Sequence, residues 1–193
     1  MLLDLLVDLK TVDLVRETAR MALEETLGWK GRLAGLRRSD LWRFEGEGER
    51  FREAVEREVA RTGVFVNETK HRARFQDGAE LGRGEALDPE GALAPGELGD
   101  GPVWRALLLV SEEGGEKPAL RRRVEQRLGG ARLDSLQGGV LWEIRLKAPD
   151  QDSARRAVAG LALSRSRRRG LLLNPHFQEG RLLRLEPAGE EKP

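Results

Sequence analysis

The chain has 193 residues, a formal net charge of +1 with 35% charged residues, two histidines and no cysteine. These values exclude disulfides and thiolate nucleophiles, leave little for a histidine-based metal site, and give no strongly basic field of the kind that nucleic-acid binders present. No apolar run reaches the roughly 18 residues of a membrane span, so we expect a soluble cytoplasmic protein without a signal peptide.

The first predicted element is a strand near residues 2–10, where Leu3, Leu5 and Val7 alternate with Asp4 and Asp8. A helix is expected next, since apolar residues recur at helical spacing. Its predicted N-cap, inner face and C-terminal stop are Thr11, then Val12, Val15, Ala19, Ala22 and Leu23, then Gly28.

The next predicted strand region is interrupted by the polar letters "RRSD" at residues 37–40, which indicates two short strands or one bent strand. A helix follows, with an apolar stripe that includes Phe51, Val55 and Val59 and a stop at Gly63. The β-branched and aromatic letters "VFV" at residues 64–66 predict a short final strand. The predicted order is therefore βαββαβ.

Residues 77–102 are rich in Gly and Pro and predict a linker. Beyond it the same order is predicted again: a strand "WRALLLV", a helix opened by Pro118, the strands "RLDSL" and "VLWEIRL", a helix capped by Asp152 or Ser153, and a final strand "GLLLN".

The two halves also match in sequence, which predicts an internal duplication. "RLAGLRRSDLW" at residues 32–42 aligns without a gap with "RLDSLQGGVLW" at residues 132–142, and "VFVN" ending at Asn67 aligns with "LLLN" ending at Asn174. We predict a first unit at residues 1–76, the linker at 77–102, a second unit at 103–187 and a tail at 188–193.

Each βαββαβ unit predicts a ferredoxin-like α+β fold, an antiparallel four-stranded sheet with two helices on one face. The other sheet face is left bare, and an apolar bare face needs a partner. We therefore predict that the two units pack their sheets together as an intramolecular pseudo-dimer.

Both halves resemble PurS, the small subunit of phosphoribosylformylglycinamidine synthase in purine biosynthesis. The resemblance lies in "VDLK" at residues 7–10, in "LAGLRRSD" and "LDSLQGGV", which are similar to a V-x-x-V-R-x-G-K strand, and in "VFVNETKH" and "LLLNPHFQE", which are similar to an LLxN-(P)-x-x-E ending. It spans everything except the linker and tail. The family's Gly-Lys is replaced by Ser39-Asp40 and by Gly139-Val140, and Glu68 stands where the second half has Pro175.

The resemblance implies a non-catalytic accessory subunit that bridges a glutaminase and an ATP-dependent synthetase, without cofactor or metal and with a homodimer as a further option. Its partner-binding residues are predicted to be Asn67, Asn174, Pro175, His176 and Arg37. The abundance of charged residues is also typical of thermophile proteins.

The histidines, the asparagines and the arginine clusters suggest further functions without reference to the family. His71 and His176, with Glu68 or Glu179, are candidate metal ligands, and the alternative is that both histidines face solvent in loops. Asn67 and Asn174 are expected to bond backbone two residues on. The basic clusters at residues 121–123 and 164–170 suit phosphate or a helix C-terminus. No catalytic constellation is recognised, so the alternatives are a small-ligand or regulatory module and an Arg-mediated nucleic-acid binder.

Overall fold

The structure is a computed structural model that describes residues 1–112, 115–164 and 170–189. It is an α+β protein with a seven-stranded antiparallel sheet in the order β3-β1-β2-β6-β5-β7-β4. The strands are β1 Leu2–Leu9, β2 Leu33–Glu47, β3 His71–Asp77, β4 Glu85–Ala86, β5 Val103–Glu112, β6 Arg132–Lys147 and β7 Gln178–Pro187.

Five α-helices accompany the sheet within the described ranges, and the coarse prediction of an antiparallel α+β fold is confirmed. The helices are α1 Leu14–Met21, α2 Phe51–Thr62, α3 Gly78–Leu81, α4 Pro118–Glu125 and α5 Gln151–Ala162. A π-helical turn, Ala22–Thr26, extends α1, and a 3-10 turn spans Pro95–Glu97.

In the first half, the predicted alternative of one strand holds, because β2 is continuous. In the second half, the prediction of two strands, "RLDSL" and "VLWEIRL", is wrong, because β6 is also continuous. β2 runs unbroken through "RRSD", where Ser39 Oγ donates to Asp8 Oδ1 and Asp40 lies opposite Val7 of β1. Because polar side chains here have partners on the neighbouring strand, the strand continues through these residues without a turn. The order in each half is therefore βαβαβ.

The final strands lie later than predicted. Of the "VFV" letters only Phe65 is buried, and its ring packs edge-on at 5.1 Å from Trp42 and 5.4 Å from Phe44. The run anchors a loop, and the charge-rich segment after it forms β3. In "GLLLN", Leu173 makes only an isolated bridge to Leu163, and the strand is β7.

Two helix caps also differ from the prediction, whereas one stop is confirmed. The N-cap of α1 is Asp13, whose carboxylate accepts from Arg16 N, and the N-cap of α5 is Asp150, which accepts from Ser153 N at 2.8 Å. Aspartate competes well for both positions because its oxygens reach the free N–H groups of the first turn. Gly63 ends α2 with φ of 60°, as expected for a left-handed C-cap.

The segment predicted as a linker contains short elements. Asp77 caps α3 by accepting from Ala79 N at 2.9 Å, and β4 pairs with β7. Leu81 and Leu98 are buried. The glycines and prolines favour turns in this segment, and the burial of Leu81 and Leu98 stabilises its position.

The chain divides into two compact units. Unit 1 comprises Met1–Val12, Ser39–Gly82 and Ser111–Val140, and unit 2 comprises Asp13–Arg38, Arg83–Val110 and Leu141–Pro193. The division falls within β2 and within β6. Each compact unit thus draws on both halves of the sequence.

Unit 1 has a core built from both halves of the sequence. Its first-half members come from β1, β2 and α2 and from the loop residue Phe65. Its second-half members come from α4, from β6 and from Leu128 in the turn between them. They include Leu3, Leu5, Phe44, Phe51, Val55, Val124, Leu128, Leu133 and Leu136. Residues 1–76 therefore do not complete this core without α4.

Unit 2 has its own buried apolar set. β5 is buried continuously from Ala106 to Val110, and α5 presents Ala157, Val158 and Leu161 inward. From the first half, Leu23 and Trp29 are buried as well. The sequence periodicity predicts an inner face of Ala154, Ala157, Val158 and Leu161 for α5, and all four are buried.

Candidate protein-binding site

The corner before β3 is organised by Asn67. Its side-chain Oδ1 accepts from Thr69 N at 3.1 Å, and its carbonyl oxygen accepts from Lys70 N and His71 N at 2.9 and 2.8 Å. Asn67 N in turn donates to His71 Nδ1 at 3.2 Å. The asparagine therefore closes a turn that leads into β3.

The corner before β7 repeats this pattern around Asn174. Its Oδ1 accepts from His176 N at 3.1 Å, its carbonyl accepts from Phe177 N and Gln178 N, and its own N–H donates to Gln178 Oε1 at 2.9 Å. The expectation that each asparagine bonds backbone two residues on is confirmed. The predicted final strands "VFV" and "GLLLN" would place Asn67 and Asn174 where a strand ends. That placement is wrong, because both corners precede a strand.

The two histidines do not occupy equivalent places in these corners. His71 corresponds to Gln178, whose side-chain oxygen accepts the same kind of backbone N–H, whereas His176 corresponds to Thr69. Across the described residues, no group of three or more His, Asp or Glu side chains has the arrangement of a metal site. Pro175 and His176 are exposed.

Arg37 lies exposed on β2 in unit 2, where it belongs to a charged group around Glu143. Arg105 Nη2 donates to Glu143 Oε2 at 2.8 Å, and Arg105 Nη1 donates to Glu186 Oε1 at 2.9 Å. Burial alone would raise the pKa of Glu143. The hydrogen bond from Arg105 and the charges of Arg105, Arg145 and Arg37 outweigh it and lower that pKa.

Two clusters of basic residues were predicted as phosphate contacts or helix C-terminal residues. In the cluster at residues 121–123, Arg121 donates to the backbone oxygen of Asp134 at 2.6 Å, and Arg122 and Arg123 are exposed on α4. In the cluster at 164–170, residues 165–169 lie outside the described residues. Arg121, Arg122 and Arg123 do not line the groove described next.

An apolar groove of about 520 Å³ lies in unit 2. One wall is α1, with Leu14, Val15 and Thr18, and the other contains Trp142, Leu171 and Leu172. Leu14 is 74% exposed and Val15 59% exposed. Apolar side chains gathered in an open groove typically mark a surface that another molecule covers.

The groove was not predicted from the sequence, because Val12 and Val15 were assigned to the buried face of α1. The predicted inner face is confirmed at Ala19 and Leu23, which are buried, and is wrong at Val12 and Val15, which are exposed. The missed signal is that α1 carries apolar residues around more than one side. An ordinary surface helix has a single apolar stripe.

The corresponding helix of the second half, α4, has a polar outer surface. It buries Val124 and exposes Arg122, Arg123 and Gln126 just beyond its end. The apolar exposure is thus specific to α1. It is not a general property of the first helix in each half.

Among the described residues, no helix combines the length and apolar character required to cross a bilayer. Comparison of the chain with protein-family models, with curated proteins and with solved structures finds no match.

Proposed function

We propose that this chain is a non-catalytic cytoplasmic accessory protein that works by binding other proteins. The observation that carries the proposal is the open apolar groove of α1 and residues 171–172. Exposed side chains of this size cost free energy in water unless a partner covers them, at about 25 cal/mol per Å² of apolar surface. The groove is therefore best explained as a docking surface.

The proposed partners are the glutaminase and the ATP-dependent synthetase of a formylglycinamide ribonucleotide amidotransferase, as the resemblance to PurS implies. In that assembly the chain would hold the two enzymes together. The duplicated sequence fits this role, because its two related halves have diverged at the helices α1 and α4 and so present two different surfaces to two different enzymes.

The proposal includes the finer fold, two ferredoxin-like units paired in one chain. Its support is the content of each compact unit. Unit 1 holds α2 and α4 with strands β3, β1 and parts of β2 and β6, and unit 2 holds α1 and α5 with β5, β7, β4 and the remaining parts. Four main strands and two long helices in each unit are what a ferredoxin-like fold requires.

The test is co-purification of the full chain with glutaminase and synthetase subunits, judged by gel filtration. Leu14→Glu and Leu171→Glu are expected to abolish co-elution while leaving the melting temperature nearly unchanged, since both residues are exposed. Ala79→Glu on the exposed surface of α3 is the matched control and should co-elute normally. Failure of the unmodified chain to bind either subunit would sink the assignment.

A small-ligand role has one observation in its favour, a cavity of about 560 Å³ in unit 2 bordered by Pro175, Gln178 and Arg181. Purine intermediates would then raise the melting temperature in proportion to ln[ligand] above the dissociation constant. The same thermal scan that controls the groove variants separates this role from protein docking.

A further inference from the structure

β3 forms one edge of the sheet, because no other strand of the described chain lies beyond it. It pairs only with β1, in an antiparallel register that sets Asp8 opposite Arg72 and Leu6 opposite Arg74. Arg72, Ala73 and Arg74 are exposed. An edge of this kind presents unpaired backbone groups that can receive another strand.

The register shows which backbone groups of β3 point outward. Lys10 N donates to Lys70 O at 2.8 Å at the start of the β1–β3 pairing, so these two residues form a hydrogen-bonded pair. Hydrogen-bonded and non-hydrogen-bonded pairs alternate along an antiparallel ladder. Arg72 and Arg74 therefore bond to β1, and the N–H and C=O groups of Ala73 and Phe75 face away from it. At His71 only the C=O is available, because its N–H donates to Asn67 O within the corner.

The side chains of β3 divide by charge between the two sheet faces. Arg72 and Arg74 share one face, and neither has an ion pair or hydrogen bond to a described residue. Ala73 and Phe75 are on the other face, where Phe75 packs against the core of unit 1. An added strand would thus meet cations on one face and apolar surface on the other.

The equivalent edge in the second half is already covered by the chain itself. β7 follows the same asparagine corner as β3, and β4 pairs along it, with Glu85 opposite Leu182 and Ala86 opposite Arg181. The pairing continues where Leu87 N donates to Gly180 O at 3.2 Å. The segment on β7 is short and extended, and it contains one acidic and two apolar residues.

A second copy of this chain is a poor occupant of the β3 edge. An antiparallel β3–β3 pairing centred on Ala73 would set Arg72 of each chain opposite Arg74 of the other. Like charges placed directly opposite one another destabilise a strand pair. The exposed arginines therefore favour a different, acidic strand.

We propose that the β3 edge binds an extended segment of a partner protein in which acidic and apolar residues alternate. Its backbone would pair with Ala73, Phe75 and the C=O of His71. Its acidic side chains would meet Arg72 and Arg74, and its apolar side chains would extend the face of Phe75. The interaction goes beyond the proposed assembly. It uses unit 1, whereas the α1 groove lies in unit 2.

Binding is measured by fluorescence anisotropy with the full chain and a fluorescein-labelled peptide of alternating Val and Glu, against a control peptide of alternating Val and Lys. We expect the unmodified chain to bind the Glu peptide at least about tenfold more tightly than the Lys peptide. Equal affinity for the two peptides, or no binding of the Glu peptide, overturns the proposal.

Two variants separate strand addition from simple charge attraction. Ala73→Pro removes one outward N–H and keeps both arginines and the bonds to β1, because proline is tolerated on an edge strand where its N faces solvent. We expect at least about tenfold weaker binding of the Glu peptide. Unchanged binding by this variant would show that the charges act alone, and strand addition would be wrong.

Arg72→Glu with Arg74→Glu keeps every backbone group of the edge. This variant is expected to reverse the preference and bind the Lys peptide more tightly than the Glu peptide. If this variant still prefers the Glu peptide, the proposal is wrong, and this test does not depend on the stability of Ala73→Pro. Leu14→Glu should leave peptide binding unchanged, so failure of the groove and failure of the edge are distinguishable.

Discussion

Arg43 holds the carboxylate of Asp4 through two parallel hydrogen bonds, Nε to Oδ1 and Nη2 to Oδ2, each 2.8 Å long, and both residues are buried. They lie directly opposite one another on β2 and β1. The second half has a pair with reversed charges at the corresponding positions. Arg105 lies two residues after the start of β5, as Asp4 does in β1, and Glu143 follows Trp142 as Arg43 follows Trp42.

Asp4→Asn is expected to destabilise unit 1 strongly, because it leaves the charge of Arg43 buried and without its counter-ion. Loss of one partner from a buried ion pair typically costs about 3–5 kcal/mol. The measurement is the urea midpoint with its m-value. Replacing both residues, Asp4→Leu with Arg43→Met, should cost less than the single change; a larger loss in the double variant would contradict this account.

The reversed charge order is expected to help each strand find its own partner during folding. If β1 and β5 exchanged partners, Asp4 would meet Glu143 and Arg105 would meet Arg43. Asp4→Arg with Arg43→Asp gives both halves the same charge order and removes this discrimination. We expect more misfolded or oligomeric material after refolding, measured by gel filtration, than for a variant of equal equilibrium stability such as a core Val→Ala. Equal yields would refute the idea.

His71→Gln is expected to be nearly neutral, whereas His71→Ala should destabilise the corner before β3. Gln178 shows that a glutamine oxygen accepts the corresponding backbone N–H in the second half. Alanine leaves Asn67 N without its bond to His71, a loss of about 1 kcal/mol. Thermal melts of the two variants give the comparison, and hydrogen exchange at Asn67 shows whether the loss is local. Similar losses in both variants would mean that the ring itself packs.

The equivalence of β2 and β6 could be predicted from the sequence, because the leucines that the two halves share are buried in both strands. Leu33 and Leu133, Leu36 and Leu136, and Leu41 and Leu141 are all buried. The length of these strands was not predictable, because it depends on distant partners. Arg38 reaches Asp13 and Ser39 reaches Asp8, contacts that the local letters do not contain.

β3 was missed for a different reason. Its letters "HRARFQD" carry charges on a strand that is open on one side, so the apolar alternation of a buried strand is absent. The groove of α1 was missed because side-chain burial depends on how the helix is rotated about its axis. With Asp13 as N-cap, Ala19 and Leu23 face inward, and Leu14 and Val15 are left outside.

Protonation of Glu143 is expected to destabilise unit 2 as the pH falls. Its pKa is lowered in the folded protein, against the opposing effect of burial, by the hydrogen bond from Arg105 and by nearby arginine charges. A lowered folded pKa means that the unfolded chain binds the proton first as the pH falls. The stabilisation is therefore complete above the ordinary glutamate pKa of about 4.3 and is lost as the pH falls through the lower folded value.

Glu143→Gln should flatten this acid dependence, measured as urea midpoints from about pH 6 down to about pH 3. Glu112→Gln is the matched control. The pKa of Glu112 is also lowered, by its hydrogen bond from Lys117, but its side chain is exposed and solvent screens the interaction. The control should change the acid slope less than Glu143→Gln does. An equal change in both variants would place the acid sensitivity elsewhere than in the Arg105–Glu143 pair.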